Sequence, residues 1–506
     1  MKHRSNLARD SLLSTVAGLF VSITSFVSVV LIARVLGVEG AGMVAFAVWA
    51  AITGSILANP GAPTVLTRYL PELRAVDQTS SDAFGSHVLR WAATVLVPAL
   101  TVLVILAVWA PGTMSPVTWL LVAILMVLQT VSTNFNAYLR GLQRFDRLAK
   151  VAFQSSVLQI SAIAAGVFAL GPDGGLIGYA AGAMLPALYG LRLMFHPVPA
   201  GAGFTDPVFR RRILSFAMLN WGLAIISVVV WYRAELFFLQ LNFGPESVGL
   251  FSTGLTLANI ATMFPALLLG ALLPHFSGQI GRNEIAELKV TYTRFTKLVA
   301  FLVFPICFGI AALCPVLIPL LYGQAFAPAI PSAMIVIAGA ALGVAVATNA
   351  NLLLGFEKTQ VLFSTNLIGM FLMLIAGTTI IPAYGIEGAA ISRVVIQFSI
   401  IAMEFWYVIY RLRFAVPAAA LMKCFAAAAV CALSAYAIVS SLGAGVWTLL
   451  VAIPAGALVY AVMIRVLKVL QTDDREALQT IVQRLPGPVQ GVSTRCIDMI
   501  VPPKAG

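Results

Sequence analysis

The segment that decides the fold is 214–243, LSFAMLNWGLAIISVVVWYRAELFFLQLNF, which carries Arg233 and Glu235 well inside an apolar run. A helix needs about 20 consecutive apolar residues to span a bilayer, so this run is long enough. A charged side chain in hydrocarbon costs roughly 3 kcal/mol on insertion scales, so it usually faces a cavity or a partner. The segment therefore predicts a membrane helix with an ionisable face.

Composition extends this prediction to the whole chain. Of the 506 residues, 60% are hydrophobic and 10% are charged, and the mean hydropathy is +0.97. Soluble domains are about one quarter charged, so a polytopic membrane protein is predicted. The net charge of +12 arises from basic residues in short loops, a pattern of membrane topology rather than of nucleic-acid binding. The uncharged run 11–33 is too long for a signal-peptide core and is predicted to be a retained first helix.

The apolar runs predict an all-α fold with about fourteen transmembrane helices. Basic residues recur on one side of the membrane and acidic residues on the other, so both termini are predicted to be cytoplasmic. The approximate bounds of the spans are 11–35, 41–69, 84–109, 116–139, 150–170, 174–195, 213–241, 247–275, 292–313, 328–354, 360–381, 386–410, 417–440 and 445–468.

An internal repeat organises the spans. LNFGPESVGLFSTG (241–254) matches RVLGVEGAGMVAFA (34–47), which aligns Gly37 with Gly244 and Gly42 with Gly249. Two further matches pair Gly141-Leu-Gln-Arg144 with Gly355-Phe-Glu-Lys358, and Gly175-Leu-Ile-Gly178 with Gly385-Ile-Glu-Gly388. The six spans of each copy are even in number, so they predict two parallel six-helix lobes with a site near the middle of the membrane.

The repeat predicts the following domain organisation. The N-terminal lobe is 1–196, a cytoplasmic linker is 197–212, the C-terminal lobe is 213–413, two extra helices occupy 414–470, and a cytoplasmic tail with a short amphipathic helix is 471–506.

Two spans carry the main candidate residues. If 213–241 is one helix, Arg233 and Glu235 lie about 200° apart, and Glu235 faces the cavity as a proton site or as the partner of a base. Arg233 is then closer to the rim of the membrane. In the span 386–410, Arg393, Gln397 and Glu404 share one face. Two interpretations of Arg393 stay open, binding of a phosphate and an ion pair with Glu235.

The other candidates are polar residues at span ends or within spans. Arg34 and Arg68 are candidates for binding an anion or for anchoring at the interface, and His275 occupies the place of Arg68 in the second copy. Buried amides would bind sugar hydroxyls or bond neighbouring helices. The predicted substrate-binding residues are Arg34, Arg68, Asn220, Arg233, Glu235, His275, Asn349, Asn351, Arg393 and Gln397, and the predicted coupling residues are Glu235 and Glu404.

The motifs of enzymes and metal sites are missing from the sequence. There is no Walker loop, no HExxH, no GxSxG and no cysteine or histidine cluster with metal-ligand spacing. The prediction is therefore a protein that is not an enzyme and needs no cofactor. A proton or Na⁺ gradient, the substrate gradient or a partner would supply the driving force.

The motif Ala33-Arg-Val-Leu-Gly37 with Glu39 and Gly42, echoed by Phe243-Gly-Pro-Glu-Ser-Val-Gly249, resembles a known family. It is similar to the polysaccharide biosynthesis and export proteins of the multidrug/oligosaccharidyl-lipid/polysaccharide exporter (MOP) superfamily. The amide-rich helix before Gly141-Leu-Gln-Arg144 is similar to that family too. The resemblance covers roughly residues 5 to 470.

This resemblance implies two MATE-like lobes around a cavity that opens alternately to each side. It also implies a flippase in the bacterial inner membrane that moves an undecaprenyl-diphosphate-linked oligosaccharide for O-antigen, capsule or exopolysaccharide synthesis. The polymerase and glycosyltransferases of that pathway would be partners. Family members carry a carboxylate near Glu235. The lipid II branch has arginines in the middle of the first helix, where this chain has Ser22, Thr24, Ser25 and Ser28.

Two other classes of function are alternatives to the flippase. A cation-coupled drug antiporter of the same fold would be expected to use an acidic residue in its first half, and the first six predicted spans contain no buried carboxylate. A polymerase or ligase for lipid-linked glycan would need a large periplasmic loop with catalytic residues, and no predicted loop exceeds about twenty residues.

Overall fold

The computed structural model describes residues 2–74, 78–109, 114–195, 207–269, 272–345, 347–443 and 445–469. Within these ranges the chain is helical apart from short turns and contains no β-strand, so the predicted all-α class is confirmed. The helices are α1 (Lys2–Leu57), α2 (Ala62–Arg74), α3 (Gln78–Trp109), α4 (Pro116–Gly141), α5 (Phe145–Met194), α6 (Pro207–Val230), α7 (Glu235–Leu269), α8 (Leu272–Gly281), α9 (Ile285–Tyr322), α10 (Ile330–Ala345), α11 (Ala347–Gly355), α12 (Thr359–Tyr410), α13 (Ala418–Leu442) and α14 (Val446–Val466), with a 3₁₀ turn at Gln324–Ala329.

These helices belong to a polytopic membrane protein. In the described part of the chain, ten helical segments are long and apolar enough to cross a membrane. The longest, 56 residues at Val208–Met263, greatly exceeds the roughly 20 residues of one crossing. Large apolar side chains such as Phe168, Met422 and Trp447 are exposed on the outside, as expected for a surface in contact with lipid. The count of fourteen spans stays a prediction.

Four of the long helices are pairs of helices joined at a glycine with positive φ. Gly37 in α1 (φ 70, ψ −166) and Gly244 in α7 (φ 77, ψ −172) have nearly the same backbone conformation. The same holds for Gly171 in α5 (φ 60, ψ −136) and Gly385 in α12 (φ 57, ψ −135). Residues with a Cβ rarely adopt this conformation, which explains glycine at all four corners. The two copies of the repeat therefore bend in the same way at corresponding places.

The conformations correct one sequence match. Gly385 corresponds to Gly171, at an offset of 385 − 171 = 214, rather than to Gly175. The offset from Gly141 to Gly355 is also 355 − 141 = 214. The sequence match was four residues out of register because four residues are close to one helical turn, so the shift keeps the same helix face.

The described residues of Met1–Ser252 and Met373–Gly385 form one compact unit, here called the first unit. An apolar cluster surrounds α2, where Leu66 and Leu70 are fully buried among α3, α4 and α6. Val88, Leu139 and Ala217 complete this packing.

The described residues of Thr253–Leu372 and Ile386–Gly506 form the second unit. Its main apolar cluster joins α8, α9, α11 and α12 through Phe276, Leu288, Leu353 and Val408. A second cluster packs α13 and α14 against α9. Cys307, Cys314, Cys424 and Cys431 are buried and form no disulfide, as expected for small apolar residues.

The predicted lobes 1–196 and 213–413 stay predictions. Residues 197–206 of the predicted linker and the predicted tail helix after 470 lie outside the described residues.

The two glycine-rich motifs contact each other within the first unit. A methyl group on Gly42 would collide with the Pro245 carbonyl oxygen, and one on Gly249 would collide with the Val38 carbonyl oxygen. The repeated motif thus makes a nearly symmetric backbone-to-backbone contact that only glycine permits. The other aligned glycine of each copy, Gly37 or Gly244, has open space around it. Glycine is needed there because the backbone has a positive φ.

Gly42→Ala is expected to destabilise the protein because the new methyl group must separate two backbones. Overpacking of this kind costs roughly 1–3 kcal/mol, so the melting temperature of the purified protein should fall by roughly 1–3 °C. Gly222→Ala in the middle of α6 is the control, because nothing lies within 4 Å of the added atom. The control should melt at the same temperature or slightly higher, since alanine favours the helix. Equal melting temperatures for both variants would contradict the assigned contact.

Candidate functional site

The candidate site begins at a break in the segment from which the fold was deduced. Helix α6 ends at Val230 and α7 begins at Glu235, and Arg233 between them has a left-handed φ of 63. The prediction of one continuous helix over 213–241 is therefore wrong. Apolar periodicity does not detect a single left-handed residue, so the sequence pattern continued through the break.

The break changes where the two charged residues lie. The predicted angle of about 200° between Arg233 and Glu235 assumed helical geometry that this part of the chain does not have. Glu235 is the first residue of α7 and only 1% exposed. The partial positive charge at a helix N-terminus favours a carboxylate there. Arg233 is half-buried, and its left-handed conformation costs about 1–2 kcal/mol, which the surrounding packing must offset.

A tryptophan satisfies the backbone at this break. The indole Nε1 of Trp49, in α1, donates a hydrogen bond of 2.7 Å to the carbonyl oxygen of Tyr232. The Leu236 N–H in turn donates to the Arg233 carbonyl at 3.0 Å. A carbonyl released by a broken helix has no water partner in a bilayer and must be paired within the protein. Trp49 supplies that partner for Tyr232.

A second break lies in the neighbouring helix. Helix α1 ends at Leu57, and Asn59-Pro60-Gly61 separate it from α2, so the predicted span 41–69 is interrupted. Here Trp221 of α6 donates to the Leu57 carbonyl at 3.1 Å. A methyl group on Gly61 would collide with the Ala217 carbonyl of α6, so the two helices are in close contact. Each broken helix therefore donates a tryptophan N–H to the carbonyl released by the other.

Buried polar side chains lie beside the second break. Asn59 Nδ2 donates to Asn134 Oδ1 at 3.2 Å, and Thr130 Oγ1 donates to Ser55 Oγ at 3.0 Å. All four residues are buried between α1 and α4. These bonds connect neighbouring helices, which was one of the two roles predicted for the amides.

The groups at the first break form a candidate binding site. The Arg233 guanidinium acts electrostatically on the Tyr179 hydroxyl, so the second half of α5 reaches the break. Trp49, Tyr179, Tyr232, Arg233 and Glu235 are here called the helix-break site. It combines a cation, a carboxylate and three aromatic side chains in the first unit. A guanidinium in such a place can bind a phosphate, and the carboxylate can bind a proton or orient a base.

The predicted residues of the second unit lie elsewhere in the fold. In α12, Arg393 is half-buried, and Gln397 and Glu404 are buried. Asn349 is fully buried and accepts a hydrogen bond from Tyr292, whereas Asn351 donates to the Ala347 carbonyl of its own helix.

The remaining predicted residues are more peripheral. Arg34, Arg68 and His275 are exposed, and the imidazole of His275 lies against Phe295 with ring centroids 6.5 Å apart. Asn220 donates to the Phe216 carbonyl within α6 at 2.8 Å.

Sequence reasoning missed Trp49, Tyr179 and Tyr292. Trp49 carried a usable signal, because an indole N–H in the middle of an apolar span requires an acceptor. Glu235 carried a signal for the missed helix break, because an acidic residue after a short polar interruption is typical of the start of a helix. Tyr179 and Tyr292 gave no signal, since their importance depends on residues more than fifty positions away.

Comparison with known sequences gives the family. Residues 7–279, more than half of the chain, match the family described as polysaccharide biosynthesis protein. The chain belongs to this family. No curated protein matches the chain by sequence.

Solved structures share the fold. The lipid II flippase MurJ in an inward closed conformation is 15% identical with a TM-score of 0.67, and the match covers 89% of this chain and 98% of that one. An inward-facing MATE multidrug resistance transporter of the MOP superfamily is 14% identical with a TM-score of 0.59, covering 80% and 96%. A MOP superfamily transporter from Pyrococcus furiosus is 15% identical with a TM-score of 0.51, covering 81% and 95%.

The fold is thus the one found in MOP superfamily transporters, and the resemblance in the sequence motifs is confirmed. The matched structures are those of a flippase and of transporters.

Trp49→Phe is expected to lower stability because it leaves the Tyr232 carbonyl without its donor. Loss of one such hydrogen bond costs roughly 0.5–1.5 kcal/mol, which corresponds to a decrease of about 1 °C in melting temperature for a chain of this length. Trp447→Phe is the matched control, because Trp447 is 80% exposed. If both variants melt alike, the hydrogen bond at the break does not stabilise the protein.

Proposed function

We propose that this protein is a flippase that moves an undecaprenyl-diphosphate-linked oligosaccharide across the bacterial inner membrane by alternating access. The observation that carries the proposal is an arginine at a broken membrane helix, Arg233, in a chain of the polysaccharide biosynthesis family. Both termini are proposed to be cytoplasmic, because basic residues such as Arg147 and Lys358 recur on one side of the spans.

The physical problem is the headgroup. A sugar diphosphate carries charges and hydroxyls whose transfer into hydrocarbon without partners is prohibitive, while its prenyl chain is soluble there. Arg233 supplies a charge-assisted hydrogen-bond donor to a diphosphate oxygen, and Tyr179 and Tyr232 offer aromatic surfaces to a sugar ring. Glu235 then balances the charge of Arg233 when the diphosphate has left. Discontinuous membrane helices are the common place for such sites in transporters.

The contact between the glycine motifs supports alternating access. Gly42 and Gly249 lie at corresponding places in the two copies and touch the opposite copy's backbone without intervening side chains. A contact that is so small and smooth can separate and reform at low cost. We propose that it closes the periplasmic end of the pathway, because the motifs follow spans that leave the cytoplasm.

We further propose that 1–196 and 213–413 are the two lobes of the transport unit and that 197–212 is the linker between them. The helices in 414–470 are an addition to this unit. Arg34, Arg68, Asn220, His275, Asn351, Arg393 and Gln397 are proposed as secondary contacts along the pathway.

The substrate differs from lipid II in this proposal, because the first helix has hydroxyl residues where the lipid II branch has arginines. Ser28, for example, accepts a hydrogen bond from Gln159 instead of offering a charge. The polymerase and glycosyltransferases of the same glycan pathway are the proposed partners.

Arg233→Gln is expected to reduce transport while the protein still reaches the membrane. Loss of one charged hydrogen bond, worth roughly 1.5–3 kcal/mol, corresponds to a transport rate roughly ten- to a hundredfold lower. The measurement is complementation of a deletion strain, with surface glycan quantified and lipid-linked intermediates assigned to the inner or outer leaflet. Arg147→Gln, at an exposed arginine at the start of α5, is the control and should export normally.

The deletion strain itself tests the class of substrate. Loss of surface glycan with intermediates stranded on the inner leaflet supports the flippase. Unchanged glycan with altered drug sensitivity would overturn it in favour of a cation-coupled antiporter of the same fold.

Glu235→Ala and Arg393→Ala are also expected to impair glycan export at normal membrane levels. For Glu235, removal leaves the buried end of α7 without its carboxylate. Glycan export at the wild-type level in both variants would show that the two residues have only structural roles. Protein abundance in the membrane fraction, measured by immunoblot, separates a transport defect from a folding defect.

A further inference from the structure

A layer of buried polar side chains lies inside the second unit, away from the helix-break site. Tyr292 of α9 donates its hydroxyl hydrogen to Asn349 Oδ1 of α11 at 2.5 Å. One turn further along α9, and at the residue before Asn349 in α11, the hydroxyls of Thr296 and Thr348 hydrogen-bond at 2.9 Å. All four side chains are fully buried. Such a layer costs free energy unless every donor and acceptor is satisfied.

Glu404 of α12 belongs to the same layer. Val408, Leu288 and Leu353 pack in one apolar cluster, and Glu404, Tyr292 and Asn349 each lie four residues from one of them. Four residues are about one helical turn, so each polar residue stands on the same helix face as its apolar neighbour. Tyr292 and Asn349 hydrogen-bond directly, so their displacements from the apolar cluster lie on the same side of it. The Glu404 carboxylate also acts electrostatically on the Tyr292 hydroxyl.

The repeat independently places Glu404 beside Asn349. The offset of 214 between the copies assigns Gly190 to Glu404 and Phe135 to Asn349. In the first copy these two residues touch, because a Cβ on Gly190 would lie 3.2 Å from the Cβ of Phe135. The offset of 207 assigns Gly85 to Tyr292. The first copy therefore fills this layer with aromatic packing and glycine, whereas the second copy holds a carboxyl, an amide and a phenol.

The polar layer contains a buried donor without a hydrogen-bond acceptor. Asn349 Nδ2 is buried and has no acceptor. Glu404 is 7% exposed and, among the residues that the structure describes, makes no hydrogen bond or ion pair. A buried carboxylate without a counter-charge is strongly disfavoured, and such a group takes up a proton or a cation instead.

The surrounding charged and titratable groups face other partners. On α9, the Lys289 ammonium lies 5.6 Å from the centre of the Phe414 ring, and Lys297 acts on Cys424 of α13. The imidazole of His275, on α8, stands against Phe295.

We propose that Glu404, Asn349 and Tyr292 form a proton-binding site inside the second unit. In the protonated state, the neutral carboxyl offers its carbonyl oxygen to the unpaired Asn349 Nδ2 donor, and Tyr292 keeps its hydrogen bond to Asn349. When the proton leaves, the carboxylate competes with Asn349 Oδ1 for the Tyr292 hydroxyl. Loss of the proton therefore changes a hydrogen bond that ties α9 to α11. A proton fits better than Na⁺, because the free group is an N–H donor and Asn349 Oδ1 is already occupied.

The site is tested on the purified full-length protein in lipid nanodiscs, without any transport measurement. Glu404→Gln mimics the protonated acid, and Glu387→Gln, at an exposed glutamate of the same helix, is the matched control. Burial of a neutral acid stabilises the fold at low pH and loses that contribution as the pH rises, because the unfolded chain gains the charged form. The wild type and the control should therefore lose melting temperature between about pH 5 and about pH 9, and Glu404→Gln should lose less than half as much.

Two further measurements identify the ligand. The infrared carbonyl stretch of a protonated carboxylic acid should be present at neutral pH in the wild type and in Glu387→Gln, and missing in Glu404→Gln. NaCl and choline chloride should stabilise the wild type equally. Stabilisation by Na⁺ alone that disappears in Glu404→Gln would overturn the proton in favour of a sodium ion.

A second variant keeps the test decisive if Glu404→Gln does not fold. Tyr292→Phe removes the hydroxyl that would stabilise the carboxylate, so the pH at which the carboxylic acid band disappears should move upward. An unchanged midpoint, or no band in any variant, would overturn the proposal. These readouts do not involve the substrate, so the flippase and the proton site can fail separately.

Discussion

A lipid bilayer offers no water to a backbone carbonyl, and the first unit depends on how this protein meets that constraint. Two of its membrane helices are broken, at Asn59-Pro60-Gly61 and at Trp231–Ala234, and each break releases carbonyl groups in an apolar region. The released carbonyls of Leu57 and Tyr232 are paired with indole N–H groups across the contact between the two helices. The exchange satisfies both breaks and also holds the two helices in register.

Glycine plays two different parts in the same architecture. At the four corners it allows a backbone angle that other residues avoid, and the matching angles at Gly171 and Gly385 show how closely the copies correspond. At Gly42 and Gly249 its role is instead the absence of a side chain, which lets two backbones touch. The first role fixes the path of the chain, and the second forms a thin contact that is suited to opening. Both follow from a duplicated motif, although the physical requirement differs between its positions.

The two copies share a frame but differ in their interiors. Where the first copy packs Phe135 against Gly190, the second places Asn349 and Glu404. Arg233 and Glu235, which flank the start of α7, also belong to the second copy. Duplication supplies two equivalent scaffolds, and substitution has given the second one the ionisable groups that bind an anionic headgroup and a proton in the functions proposed above.

Hydropathy and motif spacing were sufficient to predict the all-α membrane class, the family motif and the existence of a repeat. These depend on hydropathy and on glycine spacing, both of which are local properties of the chain. The sequence also identified Arg233, Glu235 and Glu404 as costly residues in apolar spans. The folded structure was needed to show that 213–241 is broken and that Gly171 is the counterpart of Gly385. It also shows that Trp49 donates a hydrogen bond to the Tyr232 carbonyl and that Tyr292 donates one to Asn349. The reason is physical: a left-handed residue, or a hydrogen bond between distant helices, leaves the period of the apolar pattern unchanged.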